Sequence, residues 1–128
     1  MTQPTVTTVP ISVVRRDARE SGSHFFDPET MRFFRSRLHL NAQRIEYGDV
    51  VAFVFVTSEQ FVSPSSGAEP RRYTVRVRRA GDPTGCSNVL PEDVGQFQRY
   101  ARLADAVDAL HTEAVPFLME AIPNGVDV

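Results

Sequence analysis

Two stretches of the chain have the apolar and polar patterns that predict β-strands. Residues 50–57, VVAFVFVT, form a continuous apolar run rich in β-branched and aromatic side chains. The length and composition of this run predict a central strand covered on both faces of its sheet. Residues 71–79, RRYTVRVRR, alternate strictly. Because successive side chains of a strand point to opposite faces, we expect Tyr73, Val75 and Val77 to face a core and the intervening arginines to face water.

The strongest helical signal lies at 28–38. Asp27 suits the N-cap position, because its carboxylate can accept the free N–H groups of the first turn. Pro28 follows at the first helical position, where its missing N–H costs nothing. Phe26 and Met31 have the spacing of a hydrophobic staple. These features together predict a helix over 28–38.

This predicted helix carries apolar side chains on two sides. At about 100° per residue, Met31, Phe34 and Leu38 fall on one face, and we expect that face to enter the core. Phe33 lies roughly 140° away from the centre of that face by the same geometry. We expect it either to be covered by a second element or to be exposed beside Arg37 as a contact residue.

The last part of the chain predicts a second helical region. Apolar residues recur there at helical spacing: Leu103, Val107, Leu110 and Ala114. Pro116 is expected to end or kink this helix, and a further short helix can begin at that proline. Residues 86–90 follow a turn-rich segment and suit a third strand.

These elements predict an α+β fold, with a small antiparallel sheet of about three to four strands, an N-terminal helix and a C-terminal helix, in the order (β)-α-β-β-β-α. Residues 1–23 are expected to form a tail that is loose at 1–10 and includes a short edge strand at 11–16. A single domain then covers 24–122. Residues 123–128 are expected to form a C-terminal tail.

The composition fits one ordinary domain. The chain has 128 residues, of which 41% are hydrophobic, enough for a single core. No apolar run approaches the ~20 residues that span a bilayer. The start, MTQPTVTTVP, lacks the basic and apolar regions of a secretory signal. Cys86 is the single cysteine, so no internal disulfide can form. These features predict a cytoplasmic protein that does not act at membranes.

The net charge of −2 hides an uneven distribution along the chain. Residues 1–79 hold twelve arginines and eight acidic residues, whereas residues 80–128 hold two arginines and eight acidic residues. Every basic residue is an arginine, since the sequence contains no lysine. The planar guanidinium group of arginine binds carboxylates and phosphates through two hydrogen bonds at once. The arginine-rich part is therefore a candidate contact region.

No motif in the sequence predicts catalysis. His24, His39 and His111 are scattered along the chain, without the spacing that metal ligands normally have. Cys86 has no neighbouring histidine to activate it as a nucleophile. The sequence also lacks the glycine-rich phosphate-binding motifs. We therefore expect a non-enzymatic protein with no metal and no cofactor.

Four short motifs occur in a characteristic order: FFDPETMRFFRSRL, FVTSEQF, RRYTVR and VGQFQRYARLADA. With these motifs, residues 24–110 resemble a family of small uncharacterised proteins found in phages, plasmids and bacterial genomes. The resemblance implies a domain type and a mobile-element context, and action in the host cytoplasm if the protein is phage-encoded. It implies no catalytic or binding residue, because that family has no function to transfer.

The arginine-rich strand is the best candidate for a binding surface. Arg72, Arg76 and Arg78 are expected to project from one side of the strand, about 7 Å apart per step. Phe33 and Arg37 of the first helix can extend this surface. It is either a solvated face neutralised by neighbouring acids, a contact for an acidic protein partner, or a contact for nucleic-acid phosphates. We favour a small non-enzymatic binding module that contacts a host or phage protein, with a nucleic-acid-binding accessory protein as the alternative.

Overall fold

The fold combines an antiparallel sheet with helices near both ends of the chain, which confirms the predicted α+β class. The computed structural model describes residues 3–85, 90–94 and 99–128. The strands are β1 (Thr5–Pro10), β2 (Arg37–Leu38), β3 (Asn41–Tyr47), β4 (Val50–Glu59), β5 (Val62–Ser63), β6 (Gly67–Ala68) and β7 (Arg72–Arg79). The helices are α1 (Ile11–Glu20), α2 (Pro28–Phe33), α3 (Leu103–Ala109) and α4 (Val115–Ala121), with a π-helical turn, Leu110–Ala114, between the last two.

Within the described residues, the main sheet has five strands, one more than the upper end of the predicted range. β4, the predicted central strand, pairs with β7 along one edge and with β3 and β2 along the other. β3 lies beside the first half of β4, whereas β2 lies beside its end, where Leu38 is opposite Thr57. β1 completes the sheet on the outer side of β3. A separate hairpin, formed by β5 and β6, follows β4.

The beginning of the chain differs from its prediction. The loose tail predicted at 1–10 is wrong at Thr5–Pro10, because β1 pairs along its whole length with β3. The edge strand predicted at 11–16 is also wrong, since this segment begins the helix α1. Its β-branched residues favour a strand locally, but Val14 and Ala18 are buried one helical turn apart. Tertiary packing therefore decides the structure of this segment.

The helix predicted at 28–38 is shorter than expected. α2 ends at Phe33, and the N–H of Ser36 donates to the carbonyl of Met31 at 2.7 Å in the manner of a Schellman motif. Arg35 occupies the left-handed position of this motif, with φ of 49°. Glycine is the usual residue at that position, so the sequence carries no signal that the helix stops.

The start of α2 agrees with its prediction in position but not in detail. Asp27 is the N-cap residue, and Pro28 is the first helical residue. The Asp27 carboxylate does not cap the helix, because its Oδ2 lies 2.7 Å from Nδ1 of His24. The helix therefore begins at Pro28 without a side-chain hydrogen bond to cap it.

One face of the sheet, which we call the apolar face, is closed by the C-terminal helices. α3, the π-helical turn and α4 pack on it through Ala106, Leu110 and Leu118. All these side chains are at most 3% exposed. The strand residues of this face are Ile45, Val54, Val56, Val75 and Val77. The expectation that Val75 and Val77 face a core is therefore confirmed.

The opposite face, which we call the arginine face, is covered by the N-terminal part of the chain. Val14 and Ala18 of α1, together with Phe26, pack against Phe53 and Phe55 of β4. Because side chains alternate along a strand, the arginine face also receives the residues of β7 that lie between those of the apolar face. These are Arg72, Thr74, Arg76 and Arg78.

The C-terminal helical region continues past Pro116, through a π-helical turn and into α4. The helix start predicted at Leu103 is confirmed, and a second helix begins at Val115, next to the proline. Proline lacks an N–H and clashes with the carbonyl four residues earlier. The wider π-helical turn, Leu110–Ala114, immediately precedes α4 and accommodates this constraint.

The third strand predicted at 86–90 lies outside the described residues except for Leu90, which is buried and belongs to no strand. Among the residues that the structure does describe, none of the helices combines the length and the apolarity that a membrane span requires.

Candidate binding site on the arginine face

The arginines of β7 share one face of the sheet, but they do not form a solvated row. Arg72 is exposed, Arg76 is half-buried, and Arg78 is completely buried. The expectation that all three face water is therefore wrong, because α1 and the segment that follows it cover this face. The predicted role of these arginines in binding stays a prediction, and burial leaves Arg78 no surface for such a role.

Arg78 is held in an ion pair beneath α1. Its Nε donates to Oδ2 of Asp17 at 2.9 Å. Its Nη2 lies 2.7 Å from the same oxygen, although it is not aligned for a hydrogen bond. Its Nη1 donates to the carbonyl of Gly85 at 3.1 Å, and the N–H of Gly81 donates to Oδ1 of Asp17 at 3.0 Å. Asp17 and Arg78 therefore join α1 to β7 and to the turn that follows it.

Arg76 belongs to a different cluster, which we call the Glu59 cluster and which consists of Arg76, Thr57 and Glu59. Nε of Arg76 donates to Oγ1 of Thr57 at 2.7 Å, and this hydroxyl donates to Oε1 of Glu59 at 3.1 Å. Nη2 of Arg76 donates to the same Oε1 at 3.1 Å. The Glu59 side chain is only 7% exposed.

The second carboxylate oxygen of Glu59 is left over from this arrangement. Oε2 is buried and has no hydrogen-bond partner among the residues that the structure describes. A buried acceptor without a donor costs about 1–3 kcal/mol relative to one that is hydrogen-bonded. Glu59 therefore has an unused capacity to accept a hydrogen bond.

An open cavity of about 240 Å³ lies against the Glu59 cluster. Its apolar walls are Phe25, Phe26, Met31, Phe34, Leu38 and Phe61. The Glu59 cluster forms one polar side of the cavity, and Thr30 and Ser36 add two further hydroxyl groups to its lining. The guanidinium carbon of Arg76 lies 5.2 Å from the centre of the Phe25 ring, which is a cation–π distance. A mostly apolar cavity with a few convergent polar groups is typical of ligand sites.

A shallow basic depression adjoins this cavity, and Met31 and Ser36 line both. The arginines around it, which we call the arginine cluster, come from α2, from the turn after α2, from β2 and from the position immediately before β7. They are Arg32, Arg35, Arg37 and Arg71. The structure therefore places an apolar cavity and a positively charged surface side by side.

Arg71 connects the two chain segments that form the arginine cluster. Its Nη1 donates to the carbonyl of Arg35 at 2.8 Å and to Oγ of Ser58 at 3.0 Å. Burial, and after it the positive charge of Arg37, lowers the pKa of the Arg71 guanidinium. Positive charge is concentrated in this cluster, because four arginines line one depression.

Phe33 and Arg37, which the sequence singled out, lie at the edge of this site. Phe33 is 80% exposed, and its ring packs edge-on against Phe34 with 4.8 Å between ring centres. Phe34, expected in the core, is 36% exposed and packs edge-on against Phe61 at 6.2 Å. Arg37 belongs to the arginine cluster. The binding roles of Phe33 and Arg37 stay predictions: Phe33 packs on Phe34 of the cavity wall, and Arg37 lines the basic depression beside the cavity.

Glu59, Phe61 and Arg71 are the parts of this site that sequence analysis missed. Glu59 could have been found by extending the two-residue period of β4 past Thr57, which places it on the same side of the strand. Phe61 lies in a loop-like segment that has no apolar period. Arg71 lies immediately before β7, where the direction of its side chain cannot be deduced from the alternation of the strand.

The expectation of no metal site rests on the sequence. In the parts of the chain that the structure describes, no group of three or more histidine, cysteine, aspartate or glutamate side chains could hold a metal ion. His24 forms its contact with Asp27 at the surface. Cys86 lies outside the described residues.

Comparison with known proteins places the chain in a family. Residues 10–111 match the model of a family described as "Family of unknown function (DUF7447)". The chain belongs to this family. The match extends from the end of β1 into the π-helical turn, so the family domain includes the cavity and the arginine cluster. The family description assigns no enzymatic activity and no binding residue. No curated protein and no solved structure matches the chain.

Proposed function

We propose that this protein is a small non-enzymatic binding module that holds an acidic segment of a partner protein. The cavity takes one apolar side chain of the partner, and the arginine cluster contacts acidic residues beside it. The observation that carries this proposal is the position of the cavity directly next to four arginines.

Charge supports an acidic partner. The four guanidinium groups of the arginine cluster line one depression, so their positive charges repel one another there. Partner carboxylates relieve this repulsion and accept paired hydrogen bonds from the planar guanidinium groups. Complementary charge also speeds the encounter of the two proteins and selects against basic partners.

The aromatic rim supports a protein partner. Phe33, Phe34 and Phe61 are exposed to different degrees around the cavity, and aromatic side chains are enriched in protein interfaces. The cavity, at about 240 Å³, is smaller than the clefts of ~300–1,000 Å³ that hold drug-sized ligands. Its size therefore suits a single side chain better than a cofactor.

This proposal keeps the kind of partner that the sequence suggested and moves the contact surface. Phe33 and Arg37 remain in it, and Arg72 lies at the exposed start of β7. Arg76 takes part from within the cavity wall, and Arg78 has no part because it is buried beneath α1. We also propose a phage or mobile-element origin and action in the host cytoplasm, and the support for these two points is the motif resemblance.

The alternative is a nucleic-acid-binding accessory protein. The same arginines can contact phosphates, and exposed aromatic rings such as Phe33 can stack on bases. Binding to a single-stranded RNA or a DNA duplex, measured by fluorescence anisotropy, separates the two functions. Nucleic-acid binding weakens steeply between about 50 and about 200 mM salt, because counterions are released from the phosphates.

Panning a random peptide library against the immobilised protein tests the leading proposal. We expect peptides with one aromatic residue flanked by acidic residues to be enriched. The variant Arg32→Glu/Arg37→Glu should lose these peptides. The matched control is Arg15→Glu/Arg19→Glu, which reverses two charges on exposed positions of α1. Equal enrichment on both variants, or enrichment of peptides without acidic residues, overturns the proposal.

A further inference from the structure

We infer that the cavity binds a tyrosine side chain, whose phenol hydroxyl donates a hydrogen bond to Oε2 of Glu59. This inference rests on the proposed function, because the tyrosine is carried by the acidic segment of the partner. It adds the identity of the anchor residue to the proposed function.

The size and the walls of the cavity suit one aromatic ring. A cavity of about 150 Å³ lined by apolar side chains holds benzene in other proteins. The cavity here measures about 240 Å³, which leaves space for a ring with a polar substituent. Four of the six apolar wall residues are phenylalanines, and their rings can pack edge-on or offset against an incoming ring. Phe33–Phe34 and Phe34–Phe61 already pack edge-on at this rim.

The polar side of the cavity selects a hydrogen-bond donor. Oε2 of Glu59 is buried without a partner among the described residues, while Oε1 accepts from both Thr57 and Arg76. Glu59 lines the cavity, and the last torsion of a glutamate side chain is broad, so the carboxylate can adjust its direction to meet a ligand donor. A ligand donor that reaches this oxygen completes the hydrogen bonding of the carboxylate.

The charge of the Glu59 cluster favours a neutral donor. The guanidinium of Arg76 lies 3.1 Å from Oε1 and balances the charge of the carboxylate. A lysine or arginine side chain in the cavity would meet the positive charge of Arg76. Phenylalanine has the right shape but no donor. Tyrosine carries a neutral donor at the far end of its ring, so the ring can contact the apolar walls while the hydroxyl reaches Glu59.

Small aromatic probes test the cavity without any partner protein. We expect p-cresol to shift the amide resonances of cavity residues in two-dimensional NMR spectra of the whole protein, and to bind about 10-fold more tightly than toluene, which lacks the hydroxyl. 4-Methylanisole is the sharper control, because it keeps the oxygen but cannot donate. Binding of 4-methylanisole as tight as that of p-cresol overturns the inference.

A conservative variant checks that Glu59 is the acceptor. Glu59→Gln keeps the size of the side chain but removes its charge, so it should weaken p-cresol binding about 10-fold and leave toluene binding unchanged. Unchanged p-cresol binding by a folded Glu59→Gln protein overturns the inference. If this variant does not fold, the comparison of the three probes on the wild-type protein still decides.

Peptides separate the inference from the proposed function. Acidic peptides that differ only in a central tyrosine, phenylalanine or phosphotyrosine are titrated calorimetrically, and we expect the tyrosine peptide to bind about 10-fold more tightly than either of the others. Equal binding of the tyrosine and phenylalanine peptides, or tighter binding of the phosphotyrosine peptide, overturns the inference alone. If the protein binds p-cresol but none of the peptides, the proposed function is overturned. The inference that a tyrosine of a partner protein enters the cavity is then overturned as well.

Discussion

The two faces of the sheet are covered in different ways. On the apolar face, the C-terminal helices seal the valines of β4 and β7 under side chains that are almost completely buried. On the arginine face, a single helix and an irregular segment cover strands that carry charged and hydroxyl groups. The first cover leaves Val54, Val56, Val75 and Val77 at most 1% exposed. The second cover includes two ion pairs, Asp17–Arg78 and Glu59–Arg76, and an open cavity that Glu59 and Arg76 line.

This difference indicates that one face of the sheet mainly stabilises the fold, whereas the other face positions the candidate binding site. Burial of apolar side chains is the main source of stability, and the apolar face supplies most of it. Buried ion pairs contribute little net stability, because desolvation of the charges offsets their attraction. The pairs on the arginine face instead fix positions: Asp17 and Arg78 hold α1 on the sheet, and Arg76 holds Glu59 beside the cavity. A face arranged in this way can keep a binding site open.

The largest effect is expected from the apolar face. Leu118 of α4 is completely buried there, and Leu118→Ala should lower the free energy of unfolding by about 3 to 4 kcal/mol, because it removes contacts and leaves a cavity. Urea denaturation measures this loss. Leu103→Ala is the matched control in the same helical region, since Leu103 is 40% exposed. Equal losses for the two variants would mean that the apolar face is not the main source of stability.

A smaller loss of stability is expected on the arginine face when the deeper ion pair is broken. Arg78→Met should cost about 2 to 3 kcal/mol, less than the cost at a fully enclosed pair, because the partner Asp17 side chain is 21% exposed and can be hydrated. Arg72→Met, on the same side of the same strand, is exposed and should change stability by less than about 0.5 kcal/mol. Urea denaturation measures the free energy of unfolding of both variants. A decrease for Arg72→Met as large as that for Arg78→Met would contradict a stabilising role for the Asp17–Arg78 ion pair.

The comparison also explains which parts of the fold could be predicted from the sequence. The strands of the apolar face could be predicted, because the alternation of β7 and the apolar run of β4 report burial directly. The helical period from Leu103 locates the C-terminal helical region, in which Leu110 and Ala114 are buried whereas Leu103 is exposed. The cover of the arginine face could not be predicted. α1 begins with residues that favour strands, and α2 ends at an arginine in a left-handed conformation instead of at a glycine. Tertiary contacts determine both elements.

The candidate site could be predicted only in part for the same reason. Alternation placed Arg72, Arg76 and Arg78 on one side of a strand, and that side is where they lie. The solvent exposure of that side depends on the packing of α1 over it, and the sequence pattern of the strand does not report this packing. Phe33 and Arg37 were found because an aromatic residue and an arginine stand out on a helix. Glu59 lies two residues after Thr57 on the same side of β4, and its hydrogen bonds with Thr57 and Arg76 make it part of the site.

Binding and stability should separate at Phe33. Its side chain is 80% exposed, so Phe33→Ala should change the free energy of unfolding by less than about 0.5 kcal/mol. The affinity of the Phe33→Ala protein for acidic peptides with a central aromatic residue should be about 10-fold lower than that of the wild-type protein, because exposed aromatic residues beside a pocket act as contact residues. Leu40→Ala is the matched control, since Leu40 is 76% exposed and does not line the cavity. If calorimetry gives equal peptide affinities for the two variants, Phe33 is not part of the binding surface.

The smallest effect is a pH dependence on the apolar face. Burial, and after it the negative charge of Glu113, raises the pKa of the Tyr100 hydroxyl above its usual value of 10.0. Tyr100 exchanges backbone hydrogen bonds with Tyr73 of β7 and packs at the edge of the apolar face. Because the folded protein holds the phenol proton more tightly than the unfolded chain does, this contribution to stability is fully present below about pH 10 and decreases as the pH rises through the raised pKa.

Thermal unfolding midpoints between about pH 8 and about pH 11 measure this decrease. Tyr100→Phe should flatten the profile above about pH 10, because it removes the phenol hydroxyl whose pKa is raised. A profile that Tyr100→Phe leaves unchanged would show that water already reaches this edge, so that the seal of the apolar face ends before Tyr100.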